Sequence, residues 1–276
     1  MHSFAGTTAL VTGASKGIGR ACALELARRG ADLVLVARST ASLDELAAEI
    51  RAAHGVKAET IGADLADAAG PRAVADAVAD RGLTIDLLVN NAGSGAVGPF
   101  FERPFAPNSQ SVAVNVTGLM ELTNLFGRDM VARGAGGIIN VASTAAFQPT
   151  PYMASYGATK AFVLSFTEAL AEELRGTGVR IMAAHPGATA TGFFDGTTAT
   201  MDARVTDSPE SVAARTLDDF ARGRVTSYPG RTAHRLITLV ARVLPRRTVA
   251  RAAAALNRKL GFDAAADLPA TAAKGS

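Results

Sequence analysis

The chain has 276 residues, 48% of them hydrophobic, and this favours a single α/β domain with a large core. One cysteine, Cys22, excludes an internal disulfide and suits a reducing compartment such as the cytoplasm. No uncharged apolar run reaches roughly 18 residues, so no transmembrane helix is expected. No secretory signal is expected either, because a strand begins by about Thr8. The four histidines lack metal-ligand spacing, so no metal site is predicted.

The first strand is followed at once by a glycine-rich turn and a helix. Residues 8–12 predict a buried strand, Gly13-Ala-Ser-Lys-Gly17-Ile-Gly19 the turn, and residues 20–29 the helix. Glycines let the backbone approach a pyrophosphate, whose charge is stabilised by the N-terminus of the helix. The pattern therefore predicts a nucleotide-binding turn, the alternative being an ordinary strand-to-helix connection.

The second predicted strand, residues 32–37, ends at Arg38 and Ser39. Dinucleotide-binding proteins that use NAD commonly carry a carboxylate near this point, which holds the ribose 2′-hydroxyl. A guanidinium suits the 2′-phosphate of NADP instead, and Lys16 in the glycine turn adds a second cation on that side. The sequence thus predicts NADP(H), the alternative being that both cations are solvated surface charges.

Two further strands end in polar or small residues. Residues 58–65 predict a short strand that includes Asp64, which either faces a cofactor or caps a helix predicted over residues 66–81. Residues 85–89 predict the next strand, which runs into Asn90-Asn-Ala-Gly93. Small and amide residues at such a position allow a ribose to approach and can bridge neighbouring strands.

Asn115 falls inside a helical segment predicted over residues 108–127. An asparagine inside a helix is mildly unfavourable. Asn115 is therefore a candidate functional residue, the alternative being a polar packing residue.

Tyr156 and Lys160 lie four residues apart in a helix predicted over residues 154–173, so their side chains share one face. A phenol ordinarily has a pKa near ~10, and a neighbouring positive charge lowers the pKa towards the range useful for proton transfer. Ser143 follows a predicted buried strand, and ligands of open α/β sheets bind at that carboxyl edge. The three residues form a candidate acid/base site.

The rest of the body continues the alternation of strand and helix. Residues 179–185 predict a sixth strand leading to Pro186 and Gly187, residues 192–206 a loop acting as a lid with exposed Phe193 and Phe194, and residues 224–228 a last short strand. The rhythm predicts a single-domain, Rossmann-like, doubly wound parallel sheet with helices on both faces.

The predicted organisation is a catalytic domain over 1–230, a basic amphipathic helical extension over 231–262 and a flexible tail over 263–276. Residues 231–260 contain eight Lys or Arg and no acid, whereas the whole chain has a net charge of +3, so the body is acidic. Two apolar stripes flank Pro245, which is expected to break the helix. The first comprises Leu236, Ile237, Leu239, Val240, Val243 and Leu244, and the second Val249, Ala252, Ala253, Leu256 and Leu260.

Three uses of this extension remain open. The stripes cover this subunit or its neighbour, or the helix lies on an anionic membrane, or the cations attract an acidic partner such as an acyl carrier protein or coenzyme A phosphates. Nucleic acid is not expected as a partner, because the positive charge is confined to this appendage.

Taken together, the motifs resemble those of the short-chain dehydrogenase/reductase family over roughly residues 7–230. The matching pieces are Thr12-Gly13-Ala-Ser-Lys-Gly17-Ile-Gly19, Asn90-Asn91-Ala92-Gly93, Asn115, Ser143, Tyr156-x-x-x-Lys160 and Pro186-Gly187. The C-terminus departs from the family pattern, because Tyr228-Pro-Gly230 leads into the basic extension. This departure puts the family's usual tetramer in doubt and leaves a homodimer through the Asn115 and Tyr156 helices plausible.

The resemblance implies a role for each matching residue. Tyr156 is expected as the acid/base, Ser143 as the group that holds the substrate oxygen, and Lys160 as the ligand of the nicotinamide ribose that also lowers the pKa of Tyr156. Asn115 is expected to hold a water in a proton relay. The predicted NADP(H)-binding residues are Gly13, Ser15, Lys16, Gly17, Ile18, Gly19, Arg38, Ser39, Asp64, Leu65, Asn91, Ala92, Gly93, Tyr156, Lys160, Pro186, Gly187, Thr189 and Thr191.

The predicted function is hydride transfer between NADP(H) and a ketone or secondary alcohol. The predicted pocket is mostly apolar, which favours a hydrophobic carbonyl compound such as a 3-oxoacyl thioester or a steroid-like ketone. Its predicted walls are Ser143, Ala145, Phe147, Tyr152, Met153, Phe193 and Phe194. The alternative is a catalytically silent NADP(H)-binding regulatory protein of the same fold. A cytoplasmic homo-oligomer is expected, with peripheral membrane contact as an open possibility.

Overall fold

The computed structural model describes residues 4–195, 197–199 and 206–267. Within these residues, seven parallel strands form one sheet in the order β3-β2-β1-β4-β5-β6-β7. The strands are β1 (Thr8–Thr12), β2 (Asp32–Ala37), β3 (Ala58–Gly62), β4 (Leu87–Asn90), β5 (Gly136–Val141), β6 (Val179–Ala184) and β7 (Thr226–Ser227). The strand order reverses between β1 and β4, and ligands of such sheets bind at the carboxyl ends of the strands near this point. The predicted fold class is confirmed.

Helices cover both faces of the sheet. They are α1 (Gly17–Arg28), α2 (Thr40–His54), α3 (Gly70–Asp80), α4 (Ala106–Val112), α5 (Leu119–Arg133), α6 (Ala154–Glu173), α7 (Pro209–Ala221), α8 (Thr232–Val243) and α9 (Arg246–Lys259). Alternate residues of β1 enter different cores, with Val11 packed on the α1 side and Leu10 on the α3 and α5 side. Burial on both faces explains why this strand is apolar throughout.

The third crossover differs from the sequence prediction. Strand β3 ends at Gly62, and α3 begins at Gly70 rather than at residue 66. The Asp64 carboxylate accepts a hydrogen bond from the Ala66 amide at 2.9 Å and so stabilises a turn instead of capping α3. Pro71 lies in the first turn of α3, where a proline's missing N–H has no cost.

The C-terminal extension forms two helices separated at Pro245, as predicted. Helix α9 buries Val249, Ala253 and Asn257, whereas α8 buries only Thr238. The predicted tail is not free over its described part, because the Thr198 amide donates a hydrogen bond to the Ala266 carbonyl at 2.8 Å. Residues 268–276 lie outside the described residues. Within the described chain, no helix has the length and apolar character required to cross a membrane.

Candidate active site

The glycine turn brings the backbone of β1 close to that of the loop after β4. Gly13 has a φ of +64°, and a Cβ there would lie 2.9 Å from the Cα of Ala92. A Cβ on Gly19 would lie only 2.3 Å from the Gly13 carbonyl oxygen. Helix α1 begins at Gly17 with no side-chain hydrogen bond capping it and no acid in its first turn. Its first amides are thus suited to an anion, and the turn fits the pyrophosphate of a dinucleotide.

Asn91 has a structural role in addition to its predicted contact with the cofactor. Its Nδ2 donates to the Thr12 and Gly13 carbonyls at 2.9 and 3.3 Å. The Thr12 hydroxyl in turn accepts from the Asn91 and Ala92 amides, each at 3.0 Å. These bonds fix the glycine turn to the carboxyl end of β4.

The end of β2 carries the residues predicted to select the cofactor. Arg38 is exposed, and no ion pair joins it to another described residue. The Ser39 hydroxyl accepts a hydrogen bond from the Ser42 amide and so caps α2. Lys16 is engaged elsewhere, because its Nζ lies 2.7 Å from an Asp195 carboxylate oxygen and 2.8 Å from the Gly192 carbonyl. This exposed pair joins the glycine turn to the lid.

Ser143, Tyr156 and Lys160 are brought together by β5 and α6, as the sequence predicts. Ser143 follows the end of β5, and its hydroxyl lies beside the Tyr156 phenol, whose pKa it lowers. The Lys160 Nζ donates to the Val141 carbonyl at 2.8 Å and lies 5.8 Å from the centre of the Tyr156 ring. A cation and two hydroxyls therefore face one space at the carboxyl edge of the sheet.

Burial dominates the titration of this group. It raises the pKa of the Tyr156 phenol above its usual range, while the adjacent Ser143 hydroxyl lowers that pKa by a smaller amount. Burial also lowers the pKa of the Lys160 ammonium to about 8. The expected lowering of the Tyr156 pKa by Lys160 is not seen here, because removal of the phenol from water is the larger effect.

Asn115 lies in a π-helical stretch, Ala113–Gly118, between α4 and α5. Such turns are frequent at functional sites. Its Nδ2 donates to the Ser94 carbonyl at 2.8 Å and to the Thr159 hydroxyl at 2.9 Å, and its Oδ1 accepts from the Ser94 amide at 3.0 Å. Asn115 thus ties the loop after β4 to the residue that precedes Lys160. Its role in a proton relay stays a prediction.

The segment after β6 completes the predicted nicotinamide side. The Thr144 amide donates to the Pro186 carbonyl at 3.0 Å, so this segment lies beside the Ser143 region. A Cβ on Gly187 would meet the imidazole of His234 at 2.0 Å. The first turn of α8 therefore packs on a segment predicted to bind cofactor. No periodicity or motif in the sequence indicates this contact.

The aromatic residues of the predicted pocket fall into two clusters. Phe193 packs edge-on against Tyr156, with ring centres 5.1 Å apart, and the Phe194 ring centre lies 5.1 Å from that of Phe193. Both phenylalanines are half-buried, so their predicted exposure is wrong. Met153 and Tyr152 join this first cluster. Phe147 packs instead against His185, at 4.9 Å between ring centres.

The lid over Tyr156 is held by the chain's C-terminal segment, which sequence reasoning missed. Phe262 is 4% exposed, and its ring centre lies 5.3 Å from that of Phe194. The Ala266 amide donates to the Thr198 hydroxyl at 2.9 Å. Arg103 donates to the Ala265 carbonyl at 3.1 Å and pairs with the Asp267 carboxylate. A lone phenylalanine in an alanine-rich stretch was the available signal.

Comparison with known proteins assigns the chain to a family. The model of the family described as short chain dehydrogenase matches residues 7–202. The chain belongs to this family, which confirms the resemblance and the fold class. No cluster of His, Cys, Asp or Glu suited to a metal occurs in the part of the chain that the structure describes.

Over the aligned residues, individual relatives are about a third identical to the chain. The probable oxidoreductase EphD of Mycobacterium tuberculosis is 37% identical over 185 residues, which cover 67% of this chain but only 31% of that protein. The very-long-chain 3-oxoacyl-CoA reductase of Bos taurus is 33% identical over 245 residues, covering 87% of this chain and 76% of the relative. A short-chain dehydrogenase from Sphingobium yanoikuyae, solved in complex with NADPH, is 35% identical and has a TM-score of 0.76, with 85% of this chain and 92% of that chain covered.

Proposed function

We propose that the protein is an oxidoreductase that transfers a hydride between NADP(H) and a ketone or secondary alcohol of an apolar small molecule. The observation that carries the proposal is the placement of the Ser143 hydroxyl beside the Tyr156 phenol, with the Nζ of the buried Lys160 5.8 Å from the centre of the Tyr156 ring. Family membership supports it, as do relatives whose names describe an oxidoreductase and a 3-oxoacyl-CoA reductase.

Each residue of the proposed site has a separate role in the reaction. Bound nicotinamide supplies or accepts the hydride. The Ser143 hydroxyl donates a hydrogen bond to the substrate oxygen, and Tyr156 gives that oxygen a proton during reduction. The raised pKa of Tyr156 keeps the phenol protonated at neutral pH, which suits a proton donor. Lys160 keeps N–H groups beyond its bond to Val141, and these can hold a ribose hydroxyl.

NADP(H) is proposed over NAD(H) because of the side chain at the end of β2. Arg38 is exposed there, without an ion pair to another described residue, and a guanidinium pairs well with a phosphate. Lys16 can add to this attraction only by leaving Asp195, and both partners of that pair are 60% exposed. Exposed ion pairs contribute little, about 0–1 kcal/mol, so the cost of this exchange is small.

The substrate is proposed to be an apolar carbonyl compound, such as a 3-oxoacyl thioester or a steroid-like ketone. Phe193 covers the Tyr156 ring, and Met153 and Phe194 extend the same apolar cluster. Such a wall places hydrophobic surface beside the reacting oxygen while offering few polar partners.

The proposed setting is a cytoplasmic homo-oligomer with a peripheral contact to the membrane through residues 231–262. Half-buried Phe162 and Phe166 stack on α6, and Met120 on α5 is 41% exposed. Faces of this kind on α5 and α6 are suited to pairing with a second subunit.

The test is a turnover assay with NADPH and a panel of apolar and polar ketones. The proposal expects NADPH oxidation with at least one apolar ketone and much lower kcat/KM with small polar ones. NADPH binding without turnover of any ketone or alcohol would instead indicate the catalytically silent protein.

A further inference from the structure

Helix α8 packs against the body through the face opposite to its apolar stripe. Of its twelve residues only Thr238 is buried. Its large apolar residues are all exposed, from 45% for Leu244 at the end of the helix to 84% for Val243. They are Leu236, Ile237, Leu239, Val240, Val243 and Leu244. At 100° per residue they span an arc of about 160° on a helix about 18 Å long.

The second helix of the extension shows that this orientation is particular to α8. In α9, Val249 and Ala253 of the second stripe are buried, each 7% exposed, and the Asn257 Nδ2 donates to the Pro151 carbonyl at 2.7 Å. The second stripe therefore packs in part on its own subunit, through Val249 and Ala253, whereas the first does not.

The charged residues of α8 and α9 themselves are all positive. Arg235 and Arg242 lie along one border of it, with their guanidinium groups over the rings of Tyr228 and Phe147. Arg246, Arg247 and Arg251 follow in α9, all exposed, and no salt bridge joins them to another described residue. No acid occurs from residue 231 to residue 260.

We infer that α8 is a docking surface for an anionic lipid membrane, in which the six apolar residues enter the headgroup region and the arginines contact lipid phosphates. An apolar face bordered by basic residues is the composition of helices that lie in a membrane interface. A second copy fits less well, because a two-fold contact places the same patch against itself and so brings like charges together.

This surface adjoins the proposed active site. Helix α8 packs on the Thr144–Phe147 turn that directly follows Ser143, and His234 in its first turn packs on Gly187. Docking through α8 would thus place the substrate side of the enzyme near the membrane, where apolar carbonyl compounds concentrate. The inference extends the proposed membrane contact and rests on the proposed function only for this choice of substrate.

The experiment is co-sedimentation of the full chain with vesicles of phosphatidylglycerol and phosphatidylcholine in equal parts, and with vesicles of phosphatidylcholine alone. The wild type is expected to bind the anionic vesicles at least tenfold more tightly than the neutral ones. Binding should weaken in high salt, because exposed charges are screened beyond about 8 Å at physiological ionic strength.

Three variants separate the apolar and the charged contributions. Val240→Asp puts a carboxylate on the stripe and is expected to weaken binding to anionic vesicles at least tenfold. The triple variant Arg246→Gln, Arg247→Gln and Arg251→Gln is expected to weaken it about 100-fold, since each cation near an anionic surface contributes about fivefold. Val225→Asp is the matched control, because Val225 is 46% exposed, as against 47% for Val240, but lies just before β7 begins, at the edge of the sheet opposite to the site.

Three results would overturn the inference. They are a wild type that binds neither kind of vesicle, a Val240→Asp variant that binds as tightly as the wild type, and a Val225→Asp variant that binds as weakly as Val240→Asp. A wild type without vesicle affinity whose Val240→Asp variant forms smaller oligomers would show that α8 joins two copies. A wild type that binds an acidic carrier protein but no vesicle would assign the surface to that partner. NADPH turnover is measured beside each assay, so a failed reductase proposal remains distinguishable from failed docking.

Discussion

Replacement of Phe262 by alanine tests whether the C-terminal segment holds the lid over Tyr156. Phe262 touches Phe194 with ring centres 5.3 Å apart, and Phe194 in turn packs on Phe193 against the phenol. An aromatic pair of this kind contributes about 0.5–1.5 kcal/mol beyond the burial of its area. If that energy positions the lid, Phe262→Ala lowers kcat/KM for an apolar ketone roughly 2- to 13-fold.

The assay compares kcat/KM for a large apolar ketone with the Kd of NADPH. The Kd should stay within twofold of the wild-type value, because Phe262 packs on Phe194, whereas the glycine turn contacts the lid through the exposed Lys16–Asp195 pair, which contributes little. The loss of a buried phenylalanine also costs about 3–5 kcal/mol of folding stability when the cavity does not collapse, so Tm should fall as well. Leu256→Ala in α9, where Leu256 is 53% exposed, is the control and should change neither kcat/KM nor Tm. Unchanged kcat/KM in a destabilised Phe262→Ala protein would refute the lid argument.

Three other predictions follow from single residues. Arg38→Ala should reduce kcat/KM with NADPH roughly 10- to 150-fold, because a hydrogen bond to a charged group contributes about 1.5–3 kcal/mol. The kcat/KM with NADH should change little, and equal losses with both cofactors would contradict the assignment. Burial lowers the pKa of His185 to about 4, whereas the same imidazole in the unfolded chain has a pKa near 6.5. Between these pH values the unfolded chain therefore binds more protons than the folded one. The free energy of unfolding of the wild type, measured by urea titration, should fall by up to about 3 kcal/mol as the pH is lowered from 6.5 to 4. His185→Phe should lack this part of the acid dependence, and an unchanged slope would argue against it. The pKa of Lys160 is about 8, below the value near ~10.4 of an unfolded lysine, so the unfolding free energy should rise between pH 8 and 10 in the wild type but not in Lys160→Met.

Much of the site was predictable because it is encoded locally. The i to i+4 spacing of Tyr156 and Lys160 sets a shared helix face without reference to the rest of the chain. Ser143 was placed by the end of a buried strand, and parallel strands bring their carboxyl ends to one edge. The glycine turn is also encoded locally, since Gly13 and Gly19 lie where a Cβ would collide with backbone atoms.

The parts that the sequence did not predict depend on contacts between distant segments. The lid was expected to expose Phe193 and Phe194, yet Phe262 covers it from about 70 residues further along the chain. Of the two roles predicted for Asp64, the helix cap is wrong, because its carboxylate accepts a hydrogen bond within the turn before α3, while the contact with the cofactor stays a prediction. The pKa of Tyr156 was expected to fall because charge pairing is visible in a sequence, whereas the extent of burial is not.

The orientation of α8 illustrates the same limit. Periodicity revealed two apolar stripes of similar strength on either side of Pro245. It could not reveal that the second packs inward through Val249 while the first faces outward, because that depends on which face each helix offers to the body.

The most direct test of the proposed chemistry is the single-turnover rate of hydride transfer from NADPH to a reactive apolar ketone, measured by rapid mixing for the wild type and Tyr156→Phe. The substitution removes only the hydroxyl that donates the proton, and general acid catalysis contributes about 10²–10⁴-fold. The account predicts a fall in rate of at least 100-fold while the Kd of NADPH stays within twofold. A Tyr156→Phe protein that transfers hydride at a rate near that of the wild type would contradict it.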